Sequence, residues 1–456
     1  MAHGGIRASA LLFIGDLASF VVALWLTLLA RYGSLPSEEI FASHIGPFTV
    51  LFMVWILVFY MSGLYGKRFI LFKSSLPNAI LKTQVLNIVI AALFFFLVPG
   101  VGIAPKTNLV IYLLISLALI FAWRLALYPR LSTPRTRDHA VLIATGEEAD
   151  ELVREVNGNR RYHLEFRDIR TPEELRGLSR EGLRALMGDE GIDLIVADTN
   201  NPDVQALLPD IYMLPCFEHG CVYADFDTVY EEVFDRIPLS LLSQGWFMEN
   251  VETDTSLGYA IVKRIIDIAG GLCMGMVTLI AIPFIWFANL LEGKGTLFIT
   301  QYRMGARGRR VRTYKFRSMA RNEEKSGVWV GESENRITKV GDFLRKTSLD
   351  EFPQFLNILK GEISLIGPRN DIEGLGQRLA EALPYYNMRY LVTPGITGWA
   401  QINQQYEPGH ISPQSIEETK MRLAYDFYYI KHRSLGLDIV IALKTFKRMF
   451  FRVSNW

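Results

Sequence analysis

Two adjacent carboxylates, Asp350 and Glu351, lie in a part of the sequence that is rich in arginine and lysine. Arg345 and Lys346 precede them by about one helical turn, and Arg369 follows in a Gly-Pro-Arg segment. Carboxylates near a diphosphate need a divalent cation between them, and Mg²⁺ binds a carboxylate together with phosphate oxygens. A carboxylate can also attack phosphorus to form an acyl phosphate. The pattern therefore predicts a magnesium-assisted phosphoryl-transfer site.

A basic stretch precedes this pair, from Gln301 to Met319 (QYRMGARGRRVRTYKFRSM). Seven basic residues are interleaved with aromatic ones, a pattern that nucleic-acid-binding surfaces share. Because an apolar segment comes directly before it, anionic lipid headgroups and phosphorylated ligands fit better, and we expect no nucleic-acid partner. We assign Lys315 and Arg317 to phosphate or headgroup binding on their charge.

The composition indicates a membrane protein with several domains. Of the 456 residues, 50% are hydrophobic and 21% are charged, which excludes a disordered chain and argues against an ordinary cytosolic enzyme. The net charge of +1 hides a segregation: +8 in residues 1–137, −17 in 138–257 and +10 in 258–456. Three blocks of different charge predict three domains with these boundaries.

The first block contains four long apolar runs, which predict a transmembrane four-helix bundle. Basic residues are concentrated in the second of its three loops and after the fourth run, so both ends of the bundle should lie in the cytoplasm. Asp16 falls within the first run, where it either serves a function inside the membrane, lies at the interface or bonds within the bundle. The runs are Ala10–Leu29, Gly46–Leu64, Val85–Val98 and Leu109–Leu127.

The acidic middle block predicts a small parallel α/β domain of Rossmann-like type. Ala140–Ala144 and Ile192–Ala197 are short apolar strand patterns, and a helical pattern follows the first. The dinucleotide fingerprint is degenerate, because only Gly146 remains and Glu147 and Glu148 would repel a pyrophosphate. We therefore favour a structural or dimerising module over an NAD-dependent oxidoreductase.

The apolar segment Ile265–Leu291 is long enough to span a bilayer but has basic residues on both sides. The positive-inside rule disfavours such flanks for a spanning helix, and Pro283 lies within the run. Both observations fit a re-entrant membrane helix at about residues 262–291, broken at Pro283. The alternative is a fifth spanning helix, which would export everything downstream.

The last apolar stretch, Leu435–Phe451, interleaves an apolar face with Lys444, Lys447 and Arg448. This pattern predicts an amphipathic helix at the membrane interface, and packing against the rest of the C-terminal domain is the alternative.

The C-terminal block resembles the bacterial sugar transferases, the polyprenyl-phosphate glycosyl-1-phosphate transferases that initiate membrane glycoconjugates. Each motif alone is weak, and the ordered set carries the resemblance. The N-terminal bundle and the degenerate α/β insert further resemble the large, extended members of the family. The motifs are Lys263-Arg264 with Asp267, Gln301–Arg303, Lys315–Met319, Arg336–Thr338, Arg345–Gln354, Gly361–Arg369, Thr393–Gly398, and Asp426 with Tyr429.

The resemblance implies a mostly α catalytic domain and a two-step reaction. Asp350 would attack the β-phosphorus of a UDP-sugar, expel UMP and hold the sugar phosphate covalently until polyprenyl (undecaprenyl) phosphate takes it. Glu351 would act in acid–base chemistry or in positioning the metal, and Mg²⁺ would bridge Asp350 to the diphosphate. Arg345 and Arg369 match the phosphate-contacting arginines of the family.

The resemblance also implies a place in the cell. The protein would be a multi-pass protein of the bacterial inner membrane, with its active site on the cytoplasmic face, and would act in surface polysaccharide synthesis. We expect a homodimer. A membrane-tethered assembly scaffold with an inactive dyad is the alternative function.

Two positions depart from the family pattern. Asn370 replaces the final proline of Gly-Pro-Arg-Pro, which loosens a turn but keeps Arg369. Ile282 stands where a serine often precedes the helix-breaking Pro283, so the angle of the break is not specified. Neither departure removes a reacting group.

Overall fold

The computed structural model describes residues 3–62, 64–65, 76–97, 105–127, 137–159, 162, 164–175, 192–209, 222–251, 257–292, 296–318, 338–405 and 413–454. The chain divides into two compact units, Met1–Val233 and Phe234–Trp456. The described part is mostly helical, with one small parallel sheet and two short two-stranded sheets. The three-domain division stays a prediction.

The first unit begins with four apolar helices, each long and apolar enough to cross a membrane. Their inward faces share one aromatic-rich core, in which Phe20, Trp55 and Tyr112 are almost fully buried. Large apolar side chains on the outward faces stay exposed, as expected where lipid replaces water. The helices are α1 (His3–Tyr32), α2 (Glu38–Met61), α3 (Leu76–Leu97) and α4 (Pro105–Phe121), which continues as a π-helix over Ala122–Leu127.

Asp16 bonds within these helices, as one of the sequence-based alternatives expected. Its carboxylate pairs with Arg124, whose Nε lies 3.0 Å from Asp16 Oδ1, and both side chains are buried. Tyr65 donates its hydroxyl to Asp16 Oδ2 at 2.9 Å, and Arg124 donates to the Leu64 carbonyl at 2.9 Å. The charge in the apolar run is therefore paired and hydrogen-bonded, the condition for burying it.

The rest of the first unit contains a four-stranded parallel sheet with the strand order β2-β1-β3-β4. Gly146 lies between β1 and α5 with φ of 104°, in a region that favours glycine. The buried strands β1 and β3 form the middle of the sheet, as their apolar patterns predict. The elements are β1 (Asp138–Ile143), α5 (Glu147–Gly158), β2 (Leu164–Arg170), α6 (Pro172–Leu175), β3 (Leu194–Ala197), β4 (Val222–Asp225) and α7 (Phe226–Phe234), and residues 202–209 are also helical.

The second unit contains a long apolar helix, together with short helices and two small sheets. A 3-10 helix at Leu349–Gln354 carries the carboxylate pair, and another lies at Tyr386–Leu391. The other elements are α8 (Gln244–Asn250), α9 (Leu257–Glu292), β5 (Phe298–Met304), β6 (Arg310–Phe316), α10 (Lys339–Lys346), α11 (Phe355–Lys360), β7 (Ser364–Ile366), α12 (Glu373–Ala382), β8 (Gly395–Thr397), α13 (Trp399–Asn403), α14 (Ile416–His432) and α15 (Leu435–Ser454).

Helix α9 is a single 36-residue helix with Pro283 inside it, and it is the fifth helix long and apolar enough to cross a membrane. One face of α9 packs on the rest of the second unit near both ends of the apolar run. Asp267 accepts hydrogen bonds from the Ser364 hydroxyl and the Leu365 amide, both at 2.9 Å. Ile285, beyond the proline, is buried in a cluster with Phe316 and Leu344.

Small residues allow α9 to approach α11 closely. A Cβ added at Gly275 would lie 2.9 Å from the Phe355 ring, and one at Gly271 would lie 3.3 Å from Ile358. Arg264 closes the other end of α11, because its guanidinium donates to the Ile358 carbonyl at 2.7 Å. The opposite face of α9 exposes Ile265, Leu272, Met276, Leu279 and Phe287.

Helix α15 packs against the second unit through part of its surface. Leu437 and Ile441 are buried in the main core, and Lys444 donates to Asn403 Oδ1 at 3.1 Å. Leu443 and Phe446 on the other side are exposed. The packing alternative therefore holds for one face, and the interfacial role of the other stays a prediction.

Candidate active site

The β5–β6 hairpin brings two cations to the site by the alternation of side chains along each strand. Lys315 pairs across the hairpin with Ile299, and Arg303 pairs with Val311. These pairs share the inward face, so Arg303 is buried and Lys315 is largely buried. The basic stretch is thus divided, with part of its charge turned towards the carboxylate pair and part turned outwards.

The carboxylate pair lies on a 3-10 helix that begins after a left-handed residue. Ser348 has φ of 59°, an uncommon conformation for a residue with a Cβ, and the Glu351 amide donates to its carbonyl at 3.3 Å. The two neighbouring carboxylates have different surroundings. Glu351 becomes buried against the hairpin, whereas Asp350 stays partly exposed.

Both oxygens of Glu351 take part in ion pairs. Lys315 Nζ lies 2.9 Å from Oε1, and Arg369 forms a two-pronged contact with Nη2 at 2.5 Å from Oε1 and Nη1 at 3.1 Å from Oε2. Burial acts to raise the pKa of Glu351, but Arg369 and Lys315 outweigh it and hold that pKa well below its usual value. Burial lowers the pKa of Lys315, and the Glu351 charge opposes that shift.

Asp350 differs from its neighbour. No hydrogen bond or ion pair reaches its carboxylate from the residues that the structure describes. Burial, and then repulsion from Glu351, raise the pKa of Asp350 to about 6, although the charges of Lys315, Arg369 and Arg345 oppose that shift. The carboxylate is therefore available to a ligand.

Arg369 follows a close backbone contact between two short parallel strands. The parallel strands β7 and β8 pair Ser364 with Gly395, and Arg369 forms an isolated bridge with the same glycine. A Cβ on Gly395 would lie 2.1 Å from the Gly367 nitrogen, so the two chains touch without room for a side chain. The sequence Gly-Pro-Arg here is therefore a close-packing motif as well as a source of charge.

Residues Arg369–Asp371, which we call the strap, follow this close contact in the chain. Arg303 Nη1 donates to the Asn370 carbonyl at 2.8 Å and lies 3.3 Å from Asn370 Oδ1. A proline at this position would lack the side-chain oxygen. In this chain, Arg303 holds the turn through both oxygens of Asn370.

The other predicted residues are placed as follows. Arg345 lies in the last turn of α10 and donates from Nε to the Ser318 hydroxyl at 3.0 Å, while its terminal nitrogens have no hydrogen-bond partner among the described residues. Arg317 is buried directly after β6. Pro283 lies within α9, and the motif residues Arg336 and Ile337 lie outside the described residues.

The donor set decides how a magnesium ion could be held. Among the described residues, no group of three or more His, Cys, Asp or Glu side chains could hold a metal ion. Glu351 is engaged by two cations, which leaves Asp350 as the available carboxylate of the pair. Magnesium is commonly held by one or two carboxylates together with substrate phosphates, so these residues fit an ion that arrives with a diphosphate.

Comparison with known proteins identifies the family. The family described as bacterial sugar transferase matches residues 258–452. The exopolysaccharide production protein PSS of Rhizobium leguminosarum is 34% identical over 193 residues, which are 41% of this chain and 93% of that protein. The chain belongs to the bacterial sugar transferase family.

Two longer relatives extend the match beyond the C-terminal block. The UDP-N-acetylgalactosamine-undecaprenyl-phosphate N-acetylgalactosaminephosphotransferase of Aeromonas hydrophila is 32% identical over 271 residues, 57% of this chain. The undecaprenyl-phosphate glucose phosphotransferase of Komagataeibacter xylinus is 28% identical over 342 residues, 70% of this chain. The aligned part covers 60% of each of these relatives.

Two arginines near the site were not among the predicted site residues. Arg303 is part of a predicted motif, but the motif gave it no role. That Arg303 and Lys315 lie on the same face of the hairpin becomes visible only when the pairing of the two strands is known. Arg389 is fully buried and donates to the Arg369 carbonyl at 2.7 Å. No local motif marks it.

Proposed function

We propose that this sugar transferase moves a sugar-1-phosphate from a UDP-sugar to polyprenyl phosphate and releases UMP. The observation that carries the proposal is the Asp350 carboxylate, which has no ion-pair partner among the described residues and feels the positive charges of Lys315, Arg345 and Arg369. Such a cluster attracts a diphosphate and presents one nucleophile to it. The names of the relatives, which act on undecaprenyl phosphate, support the same reaction.

The reaction divides into two displacements at one phosphorus. An Asp350 carboxylate oxygen attacks the sugar-bearing phosphorus, and the bond to the bridging oxygen breaks, so UMP leaves with that oxygen. A phosphate oxygen of the lipid then attacks the same phosphorus and breaks the bond to Asp350. The products are polyprenyl-diphospho-sugar and UMP, and the carboxylate is regenerated.

The neighbouring groups bind and orient in this scheme. Glu351 fixes Lys315 and Arg369 through both of its oxygens, so its role is to position these cations against the phosphates. Arg345, whose terminal nitrogens have no hydrogen-bond partner in the described part of the chain, donates them to a phosphate oxygen. Asp350 would hold Mg²⁺, which would neutralise charge on the diphosphate.

The packing of α9 supports a membrane helix that does not span. Its contacts with the second unit run from Lys263 to Ile285, which is about 33 Å of helix axis, similar to the thickness of the hydrocarbon core. A spanning helix would touch a cytoplasmic unit near one end only. We therefore retain the prediction of a re-entrant helix at the inner membrane, following four transmembrane helices in the chain, with the site on the cytoplasmic face.

The reaction is tested with the full chain in detergent. The protein is incubated with Mg²⁺, undecaprenyl phosphate and UDP-glucose, UDP-galactose or UDP-N-acetylgalactosamine, and UMP release is measured. We expect lipid-dependent release with one donor, loss after Asp350→Asn and loss after chelation of the metal. Asp342→Asn is the matched control, because this exposed carboxylate pairs with Lys346 on α10.

Two outcomes would contradict the proposal. Absence of release with every donor favours the assembly scaffold, and release that survives Asp350→Asn excludes the covalent path. Release that survives chelation would remove only the metal from the scheme.

The topology and the dimer have separate tests. In a chain without its native cysteines, we expect Gly258→Cys and Thr296→Cys, on either side of the apolar run, to react with an impermeant reagent from the cytoplasmic side alone. Labelling of the two positions from opposite sides would indicate a fifth spanning helix. Light scattering of the detergent-solubilised chain tests the proposed homodimer.

A further inference from the structure

The strap that carries Arg369 is held through its main chain. Its three consecutive carbonyls all accept hydrogen bonds, two of them from guanidinium groups. Because these carbonyls are held, the backbone of the strap has little freedom to shift. The Arg369 side chain therefore extends to Glu351 from a fixed Cα position. The bonds are Arg389 Nη2 to Arg369 O at 2.7 Å, Arg303 Nη1 to Asn370 O at 2.8 Å, and the Met304 amide to Asp371 O at 2.9 Å.

Arg389 makes several contacts of different kinds from a fully buried position. Its Nη1 pairs with Asp371 and donates to the Tyr386 hydroxyl at 2.8 Å. Its Nη2 lies 2.6 Å from Asp426 Oδ2 and 2.7 Å from the Arg369 carbonyl. The two carboxylates thus fix the plane of the guanidinium. In this plane, Nη2 can donate one N–H to Asp426 and the other to the Arg369 carbonyl of the strap.

We propose that Arg389 is a positioning residue for the sugar-phosphate transfer, acting through the Arg369 carbonyl. The inference rests on the proposed function, in which the Arg369 side chain faces the diphosphate. A lysine could pair with one carboxylate, but its single ammonium cannot meet the four acceptors that the planar fork meets. A misplacement of Arg369 by about 1 Å can cost about 10²-fold in rate.

Arg422 offers a matched control in the same buried cluster. Its Nη2 lies 2.8 Å from Asp371 Oδ1 and also bonds to Tyr386, so it shares two acceptors with Arg389. Among the described residues it has no bond to the Arg369 carbonyl. Arg422→Lys therefore disturbs the same charges, including one side-chain contact of Asp371, but leaves the bond to the Arg369 carbonyl in place.

The experiment compares Arg389→Lys with Arg422→Lys in the UMP-release assay, together with their thermal unfolding midpoints. We expect Arg389→Lys to lower kcat by about 30-fold or more and to raise the KM for the UDP-sugar by about tenfold, with Arg422→Lys within about threefold in both. Loss of folded protein alone lowers kcat and leaves KM unchanged. Equal effects of the two variants, or a fall in kcat without a change in KM, would overturn the inference.

Amide hydrogen exchange of the strap gives a reading that needs no activity. Faster exchange of the peptide containing Arg369–Ile372 in Arg389→Lys, but not in Arg422→Lys, supports the inference, and equal exchange overturns it. If the unaltered chain releases no UMP with any donor, the proposed function fails and this exchange comparison still decides whether Arg389 holds the strap. If Arg389→Lys does not fold, the charge-neutral double variant Arg389→Gln with Asp426→Asn replaces it in both measurements.

Discussion

Two groups of charged side chains in the second unit meet at the strap and differ in how their charges are balanced. The frame cluster is almost completely buried and contains two carboxylates and two guanidiniums. The reaction cluster is partly exposed and contains three cations and two carboxylates. The frame cluster is Asp371, Arg389, Arg422 and Asp426, and the reaction cluster is Lys315, Arg345, Asp350, Glu351 and Arg369.

The difference in balance separates a structural from a binding role. In the frame cluster each carboxylate has a guanidinium partner, as burial in a low-dielectric interior requires. In the reaction cluster Glu351 takes up two cations, while Asp350 lacks a partner among the described residues. A surplus of positive charge beside such a carboxylate favours an anionic ligand.

The largest effect should come from Asp350→Asn, which removes the unpaired member of the reaction cluster. We expect UMP release to fall by about 10³-fold or more, because the nucleophile is lost. The thermal unfolding midpoint should not fall, since the variant breaks no ion pair and relieves repulsion with Glu351. A clear loss of stability would mean that Asp350 has a structural role, which would contradict the distinction between the two clusters.

Asp426→Asn tests the opposite cluster. The variant leaves Arg389 buried with one carboxylate fewer, and we expect the free energy of unfolding to fall by about 3–5 kcal/mol. Denaturant unfolding of the detergent-solubilised chain measures this. Glu417→Gln on the same helix breaks an exposed pair with Lys420 and should change stability by less than about 0.5 kcal/mol. Equal effects of the two variants would remove the distinction between buried and exposed charge pairs.

Glu351→Gln should have the next effect, on activity. The amide keeps the shape of the side chain but releases Lys315 and Arg369 from a fixed charge, and we expect about a 10²-fold loss of UMP release. Glu373→Gln is the control, because this carboxylate pairs with Arg310, an exposed residue of the hairpin. Activity that survives Glu351→Gln would show that the two cations are positioned without it.

Asn370→Ala should have the smallest effect, at the junction of the two clusters. The variant removes the side-chain acceptor of Arg303 but keeps the carbonyl bond at 2.8 Å. We expect a loss of about 1 kcal/mol in stability and a few-fold loss of UMP release. A loss as large as that of Glu351→Gln would mean that Asn370 contributes more than a second bond to Arg303.

Local patterns in the sequence predict the elements that depend on local order. Five apolar runs predict the five long apolar helices, because a stretch of about 20 apolar residues is its own signal. The adjacency of Asp350 and Glu351 and the helical turn from Arg345 predict a carboxylate pair beside a cation. The apolar strand patterns likewise predict the inner strands of the parallel sheet.

Contacts between distant residues could not be predicted in this way. Arg389 and Asp426 are 37 residues apart, and Asp16 and Arg124 are 108 apart, so no spacing rule connects them. The different surroundings of Asp350 and Glu351 come from the contacts of Glu351 with Lys315 and Arg369, which are 36 and 18 residues away in the chain. The packing of α9 beyond Pro283, where Ile285 meets Phe316 and Leu344, is likewise a contact between distant residues that no local pattern supplies.

The central claim is that the Asp350 carboxylate reacts with the donor, while the neighbouring Glu351 positions Lys315 and Arg369. Intact-protein mass spectrometry tests it most directly, after incubation with Mg²⁺ and the UDP-sugar but without the lipid acceptor. We predict a mass increase equal to one sugar phosphate in the unaltered chain and, more slowly, in Glu351→Gln, with none in Asp350→Asn. An increase that persists in Asp350→Asn, or that disappears only in Glu351→Gln, would contradict the account.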